Sequence, residues 1–313
     1  MKLPLVILSG PTACGKTSLS IDLAKRINGE IISADSMQVY RGFDIGTAKI
    51  TEDEKDGIPH YLIDELDPTE EFNVFEFQSR ARKYIADISS RGKIPMIVGG
   101  TGFYIQSVLY DIDFSDESDD KTYRHELEKL AAEKGSDYLY QQLLECDPDA
   151  AKEIHPNNTK RVIRALEFFH ETGQQISEHN KIQQQKESPY NYAYFVLNRP
   201  RHILYERINR RVDLMMEEGL PNEVSCLLEK GYGEDLLSMQ GLGYKELIPY
   251  VKGNTTLDEA SDLLKKNTRH FAKRQITWFK REKDTIWIDL EAYASRDDAV
   301  AYMIQILKEK CIV

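Results

Sequence analysis

The segment Gly10-Pro-Thr-Ala-Cys-Gly-Lys-Thr17 fits the pattern G-x-x-x-x-G-K-[ST] at every fixed position. It follows a short apolar run at 5–8, which is typical of a buried parallel strand, and it leads into helical spacing over Lys16–Ile27. In such a P-loop, backbone N–H groups and the positive end of the helix hold phosphate oxygens. The sequence therefore predicts a phosphate or diphosphate site built from Gly10, Pro11, Thr12, Ala13, Cys14, Gly15, Lys16 and Thr17.

Two side chains of this loop have predicted roles in ligand binding, and a third has none. Lys16 reaches the terminal phosphates of a ligand, and the Thr17 hydroxyl is a candidate ligand for Mg²⁺. Cys14 occupies a variable position, so we interpret it as a tolerated small residue and not as a nucleophile. Taken by itself the motif suggests nucleotide binding, ATP above all, but it specifies only the phosphate.

Strand and helix patterns alternate after the loop. Strand-like runs at 30–34 and 93–98 are separated by an amphipathic helical pattern at 73–90. This alternation predicts a parallel sheet with helices on both faces. Further strand-like runs come at 192–197 and 287–290, and a closing helix is predicted at 295–310.

The character of the chain changes in its middle. Six of the ten residues at 111–120 are acidic, which indicates a solvated connector, and 121–185 has helical patterns only. The predicted fold class is therefore α/β: a P-loop NTPase-like parallel sheet core flanked by helices, with an inserted all-helical subdomain. The predicted core comprises residues 1–113 and 192–313, and the predicted insertion comprises 114–191.

Composition narrows the class of protein. The chain has 313 residues and a formal net charge of −11, which argues against indiscriminate nucleic-acid binding but leaves room for a local basic face. The cysteines show neither C-x-x-C pairs nor zinc-ligand spacing. No stretch approaches the ~20 apolar residues that span a bilayer. We expect a cytoplasmic, monomeric protein without a membrane partner.

A carboxylate follows the second predicted strand. Asp35 comes directly after the run at 30–34, and the third predicted strand ends at Gly99-Gly-Thr-Gly102. Ligands of open α/β sheets bind beyond the carboxyl ends of the strands, so the P-loop, Asp35 and this turn should converge on one crevice. There Asp35 is a candidate metal ligand or general base, or simply the cap of the next segment. The third strand lacks the Asp that many NTPases place there, which disfavours simple ATP hydrolysis.

Basic residues cluster in an otherwise acidic chain. The stretch 265–283 contains eight Lys or Arg residues and one acid, with Phe271, Trp278 and Phe279 interleaved. Smaller clusters lie at 159–164 and 199–211. Such stretches suit an RNA backbone with possible base stacking, although a solvated helix face with Trp278 and Phe279 in the core fits the pattern as well.

Several separated segments resemble one family, the tRNA dimethylallyltransferases, also called tRNA isopentenyltransferases. The most specific are Ser33-Ala-Asp-Ser-Met-Gln-Val-Tyr-Arg41 and Ala272-Lys-Arg-Gln-Ile-Thr-Trp-Phe279. The others are the P-loop, Asp44-Ile-Gly-Thr-Ala-Lys49, Val98-Gly-Gly-Thr-Gly-Phe-Tyr104, Arg211-Val-Asp-x-Met-x-x-x-Gly-Leu220 and Gly241-Leu-Gly-Tyr-Lys-Glu246. They occur in the family's order from residue 10 to about 280.

The resemblance implies a reaction and its partners. A dimethylallyl group moves from dimethylallyl diphosphate to N6 of the adenosine at position 37 of tRNA, beside the anticodon. The P-loop then holds the diphosphate of the prenyl donor, with Thr17 and Mg²⁺ and with Arg211 as a second cationic contact. Asp35 is the implied general base, and the helical insertion is the implied clamp on the anticodon stem-loop. Without the resemblance, Arg211 also fits a surface helix arginine.

The resemblance and the basic clusters together imply a set of tRNA-binding residues. These are Asp35, Ser36, Met37, Gln38, Thr101, Gly102, Lys160, Arg161, Arg164, Gly243, Tyr244, Lys245, Lys273, Arg274 and Gln275.

Other functions remain open at this point. A related enzyme transfers the prenyl group to free AMP or ADP, but the insertion and the basic stretch at 265–283 argue against it. A nucleoside or nucleotide kinase would transfer the γ-phosphate of ATP instead. An RNA-binding regulator that uses the P-loop as a nucleotide switch would bind tRNA and form no product.

Overall fold

The computed structural model describes residues 2–114 and 122–313, so most of the predicted acidic connector lies outside the described residues. The described chain forms two compact units. The first contains the residues up to Val108 together with Pro189–Val313, and the second is Leu109–Ser188. No helix in either described range is long and apolar enough to cross a membrane.

The first unit is built on a parallel sheet. Its strands within the described residues are β1 Leu3–Ser9, β2 Gly29–Ala34, β3 His60–Tyr61, β4 Ile94–Gly99, β5 Tyr190–Asn198 and β6 Thr285–Asp289. They lie in the order β3-β2-β4-β1-β5-β6, and every neighbouring pair is parallel. The α/β prediction is thus confirmed.

Helices connect the strands and make up the second unit. Those before the second unit, or running into it, are α1 Lys16–Ile27, α2 Glu52–Lys55, α3 Val74–Ser90 and α4 Gly102–Leu109. Those of the second unit are α5 Thr122–Lys134, α6 Ser136–Cys146, α7 Pro148–Glu153, α8 Thr159–Thr172 and α9 Ile176–Gln185. The later helices are α10 Arg201–Glu217, α11 Leu220–Glu229, α12 Tyr244–Val251, α13 Leu257–Phe279 and α14 Arg296–Glu309.

The burial of β1 explains the sheet. Every residue from Leu5 to Ser9 is buried, because helices cover both faces of a parallel sheet. Val6 and Leu8 pack in one cluster with residues of α1, α10 and α14, and the alternate residues of the strand point to the other face. Because β1 is central, the loop that follows it lies at the middle of the carboxyl edge.

The second unit has its own core. Leu139 and Leu143 of α6 pack with Val162 and Leu166 of α8 and with Leu127 of α5. As predicted for 121–185, the regular elements described here are helices.

One strand prediction is changed, and one strand was not predicted. The run at 287–290 is a strand over Thr285–Asp289, and Leu290 begins a short 3₁₀ helix. Strand β3 was not predicted, because a strand of two residues is too short to show a periodic pattern.

Candidate active site

The P-loop follows β1 and opens α1. Gly10 has φ +149°, and a Cβ there would lie 2.7 Å from the carbonyl oxygen of Leu197. Gly15 has φ +106° and occupies the N-cap of α1, where no side chain caps the helix. The first N–H groups of a helix have no intrahelical acceptor, so this end is suited to an anion.

Two arginines hold the carbonyl side of the loop. Arg207 Nε on α10 donates to the Ala13 carbonyl at 2.8 Å, and Arg199 Nε donates to the Cys14 carbonyl at 3.0 Å. Arg199 also pairs with Glu291. The sequence indicated these arginines only as part of a basic cluster, because a side chain that binds a backbone carbonyl leaves no spacing signature.

The loop side chains differ in their exposure and in their hydrogen-bond partners. Lys16 Nζ crosses the loop and donates to the carbonyls of Gly10 at 3.0 Å and Pro11 at 2.9 Å. Thr17 is exposed at the start of α1. Cys14 is completely buried, which fits its interpretation as a packed small residue.

Asp35 opens a tight turn directly after β2. Its Oδ1 accepts the N–H of Met37 at 2.9 Å and that of Gln38 at 3.3 Å, while Oδ2 makes no hydrogen bond with the described residues. Ser36 and Met37 are half-exposed, like Asp35. The turn therefore fixes the carboxylate through one oxygen and leaves the other for a ligand.

Gln38 has a mainly structural position. Its Nε2 donates to the carbonyls of Thr47 at 3.2 Å and Ala48 at 3.4 Å, and its Oε1 accepts from the Ser33 hydroxyl at 3.3 Å. An RNA contact by Gln38 stays a prediction.

The glycine turn after β4 lies against the Asp35 turn. A Cβ on Gly99 would lie 2.2 Å from the Ala34 carbonyl oxygen, and the Thr101 N–H donates to that oxygen at 3.1 Å. Gly102 is equally crowded, because a Cβ there would lie 2.2 Å from the Trp278 ring. Thr101 is half-exposed, whereas Gly102 is buried.

Gln275 joins this turn to the P-loop. Its Oε1 accepts the Thr12 N–H at 2.8 Å, and its Nε2 donates to the Gly100 carbonyl at 3.0 Å. The side chain is only 6 % exposed. Gln275 is therefore a buried bridge between two backbone segments, and an RNA contact by its remaining N–H group stays a prediction.

The segment at Gly243 and Tyr244 needs a correction. Tyr244 has no exposed surface, and its hydroxyl donates to Glu223 Oε1 at 2.7 Å. Gly243 is buried as the N-cap of α12, whereas Lys245 is exposed. Because the Tyr244 ring packs on Gly46 and Phe43, a direct RNA contact by this side chain is incompatible with its placement.

Arg211 lies one turn beyond Arg207 on α10. It is half-buried and forms no ion pair or hydrogen bond with the described residues. Burial, and then the nearby Arg207 charge, lower the pKa of the Arg211 guanidinium below its ordinary value. A desolvated cation without a counter-ion, beside a phosphate-binding loop, is suited to an anionic ligand.

A groove of about 440 Å³ runs along α13. Its lining residues are His270, Lys273, Arg274, Thr277, Trp278 and Arg281. Lys273 and Arg274 are exposed, and Phe279 is buried as expected for a core residue. The groove offers several cations and one aromatic side chain, which suits a polyanion with stackable bases.

The residues of the predicted basic cluster at 159–164 differ in their partners. Lys160 and Arg161 are exposed at the start of α8. Arg164 instead donates to Glu167, a carboxylate that is 3 % exposed and also binds Arg124. Arg164 is thus partly committed to an internal ion pair, while Lys160 and Arg161 remain available to a ligand.

Magnesium has few protein ligands here. The described residues contain no group of three or more His, Cys, Asp or Glu side chains that would hold a metal ion. The exposed Thr17 hydroxyl at the N-terminus of α1 fits a Mg²⁺ that takes its other ligands from a diphosphate and water.

The fold and site define a class: a P-loop α/β enzyme whose carboxyl edge joins a phosphate-binding loop to a carboxylate. Comparisons with known proteins specify it further. The family model described as IPP transferase matches residues 38–282, and that described as isopentenyl transferase matches 3–72. The chain belongs to the IPP transferase family.

Individual relatives agree along the whole chain. A tRNA dimethylallyltransferase of Lachnoclostridium phytofermentans is 60 % identical over 99 % of both chains. The crystal structure of the tRNA isopentenylpyrophosphate transferase from Bacillus halodurans is similar with a TM-score of 0.73 and 47 % identity, covering 99 % of this chain and 98 % of that one. The crystal structure of a eukaryotic dimethylallyltransferase acting on tRNA is similar with a TM-score of 0.84 and 30 % identity. The match covers 98 % of this chain and 80 % of that one.

Proposed function

We propose that this protein transfers the dimethylallyl group of dimethylallyl diphosphate to N6 of the adenosine at position 37 of tRNA. One observation carries the proposal: the P-loop after β1 and the free Oδ2 of Asp35 after β2 lie at the same edge of the sheet, and β4 between them ends in glycines. The same edge of the sheet therefore offers a loop for the diphosphate of the electrophile and a carboxylate as the base.

The leaving group determines the cationic side of the site. The bond between C1 of the prenyl group and the diphosphate oxygen breaks, so negative charge grows on the diphosphate. Lys16, Arg211 and the N–H groups of the loop neutralise that charge. Mg²⁺, held by Thr17 and the diphosphate itself, would add further neutralisation. The phosphate stays on the departing group, which fits a β4 that ends in glycine instead of an Asp.

The acceptor amine determines the anionic side. An exocyclic adenine amine is a weak nucleophile because its lone pair is delocalised into the ring. As its nitrogen bonds to C1 of the prenyl group, one amine proton passes to Asp35 Oδ2. The two backbone N–H groups on Oδ1 hold the carboxylate in place. The adenine reaches this position only after leaving the anticodon-loop stack.

The remaining partners follow from exposed charge. The α13 groove supports binding of the tRNA backbone, with Lys273 and Arg274 as its contacts, and Lys160 and Arg161 of the second unit are further candidates. Ser36, Met37, Thr101 and Lys245 are proposed contacts closer to the base. The four cysteines are free, which supports a reducing cytoplasm, and we propose that the protein acts there as a monomer.

Mass spectrometry of tRNA nucleosides tests the function. Unmodified tRNA incubated with the protein, dimethylallyl diphosphate and Mg²⁺ should gain one dimethylallyl group on adenosine and release diphosphate. AMP offered in competition should remain unmodified. Prenylated AMP with unlabelled tRNA would instead assign the free nucleotide as acceptor, and γ-phosphate transfer from ATP without prenyl transfer would contradict the proposal.

A further inference from the structure

Glu223, on the first turn of α11, collects hydrogen bonds from a segment far away in sequence. Its Oε2 accepts the N–H groups of Asp44 at 3.1 Å and Ile45 at 2.8 Å, and its Oε1 accepts that of Gly46 at 3.1 Å. The Tyr244 hydroxyl is the fourth donor, at 2.7 Å from Oε1. One carboxylate thus satisfies three consecutive backbone amides, and bonds of this charge-assisted kind are stronger than neutral ones.

Tyr244 packs closely on the turn at 44–48. A Cβ on Gly46 would lie 2.5 Å from the Tyr244 ring, and Tyr244 itself is fully buried. Lys49, at the end of the turn, binds the Tyr40 carbonyl at 2.8 Å and Asp64 at 2.5 Å, which are neighbours in the N-terminal part of the chain. Glu223 is therefore one link, together with the packing of Tyr244, that ties the turn at 44–48 to the later helices.

The other side of this turn leads to Asp35. The carbonyls of Thr47 and Ala48 accept both described hydrogen bonds of Gln38 Nε2. The backbone N–H of the same Gln38 donates to Asp35 Oδ1. A path of hydrogen bonds, joined by the backbone of 44–48 and by the side chain of Gln38, thus runs from Glu223 to the Asp35 carboxylate.

We propose that Glu223 is a positioning residue for Asp35, acting through the backbone of 44–48 and the Gln38 amide. Glu223 does not touch the reacting atoms. It sets where the free Oδ2 of Asp35 stands relative to the loop that holds the diphosphate. This inference rests on the proposed function for its kinetic consequence, but its structural part is independent of it.

Glu223→Gln is the informative substitution because it preserves shape. If the amide oxygen accepts from Asp44 and Ile45 and the amide nitrogen donates to the Tyr244 oxygen, the Gly46 N–H loses its carboxylate acceptor and faces an N–H donor instead. We expect kcat to fall roughly 10- to 100-fold, since small displacements remote from the chemistry cost that much. The KM for dimethylallyl diphosphate should change less than about 2-fold, because the P-loop is untouched.

Two further variants calibrate the effect. Tyr244→Phe removes one donor and leaves the three backbone bonds, so kcat should fall by less than about 3-fold. Glu229→Gln is the matched control, on the same helix and exposed, and should behave as wild type. In Asp35→Asn, adding Glu223→Gln should lower kcat little further, because both act on one group. Fully multiplicative effects, or an unchanged kcat in Glu223→Gln, would overturn the proposal.

Hydrogen exchange tests the link without any activity. In Glu223→Gln, amides at 44–48 and also at 36–38 should exchange faster than in wild type, whereas Glu229→Gln should change neither. Faster exchange confined to 44–48 would break the link to Asp35. If wild type makes no prenylated tRNA, the proposed function fails, and the exchange experiment still decides whether Glu223 holds the Asp35 turn.

Discussion

Strand β2 carries a carboxylate at each end, and the two are treated in opposite ways. Glu30, near its start, is fully buried and accepts hydrogen bonds at 2.5–2.7 Å from Arg91, Lys93 and Tyr61. Asp35, just past its end, is half-exposed and is held by backbone N–H groups on one oxygen only. At one edge of the sheet both carboxylate oxygens are hydrogen-bonded within the chain. At the other edge one carboxylate oxygen has no partner in the described residues.

The two edges differ in what their charges stabilise. The hydrogen bonds from Arg91, with those from Lys93 and Tyr61, lower the pKa of Glu30 to about 2 although burial opposes them. Among the arginines, Arg91 pairs with Glu30 and Asp87, whereas Arg211 has no partner in the described residues. Charges that are satisfied within the chain stabilise the fold, and charges without partners are available to a ligand.

Substitution of Asp35 should have the largest effect on turnover. Asp35→Asn should lower kcat about 10³-fold, since the amide cannot take a proton, while tRNA affinity and the melting temperature stay within error of wild type. Single-turnover labelling of tRNA measures the rate, and Asp53→Asn, an exposed carboxylate on α2, is the control. Turnover near that of wild type would remove Asp35 as the base.

Arg211 and Arg91 should differ in their effects on turnover and on stability. Arg211→Gln should lower kcat about 10²-fold because the leaving group loses a counter-charge. The melting temperature should not fall, because the substitution removes a desolvated cation without a partner. Arg91→Gln should show the reverse, with stability lost and turnover per folded molecule retained. Equal losses of stability in both variants would contradict the distinction between the two edges.

Glu30 should contribute to the free energy of unfolding and not to turnover. Glu30→Gln should lower the free energy of unfolding by about 3 kcal/mol, because Arg91 and Lys93 lose their carboxylate. Urea denaturation measures this. Since the pKa of folded Glu30 is about 2 against an ordinary 4.5, its contribution is complete above pH 4.5 and is lost as the pH falls towards 2. The difference between wild type and variant should shrink over that window, and a constant difference would exclude the charge as its cause.

Lys273 represents an exposed charge and should give the smallest effect. Lys273→Ala should weaken tRNA binding several-fold at moderate salt, reduce the slope of log K against log salt by about 1, and leave kcat at saturation unchanged. Lys83→Ala, equally exposed on α3, serves as the control. An unchanged slope would place Lys273 away from the phosphates.

Local patterns predicted much of the fold because they are local in origin. The P-loop motif predicted a strand, a tight loop and α1 with its observed bounds, since glycine conformations and helix spacing are properties of neighbouring residues. The convergence of Asp35 and the Gly99–Gly102 turn followed from the rule for parallel sheets and is observed. Strand β3, with two residues, is too short to show a hydrophobic pattern.

Long-range polar contacts were not predictable in the same way. Gln275 and Tyr244 stood in motifs that suggested RNA contacts, yet one bridges Thr12 to Gly100 and the other is buried on Gly46. Arg207 and Glu223 were never singled out for their contacts with the backbone of Ala13 and of 44–46. Such partners are separated by more than 170 residues, and any residue type offers the same backbone groups.

The class of fold, the phosphate loop and the family could be predicted from the sequence, because each of these depends on short segments whose residues act on their neighbours. The tertiary structure alone decided which charges are paired and which are left free. Pairing depends on distances across elements: Glu30 forms ion pairs with Arg91 and Lys93, whereas Arg211 forms no ion pair with the described residues. That difference in partners, and not the identity of the residues, separates the stabilising edge of this sheet from the edge proposed for the reaction.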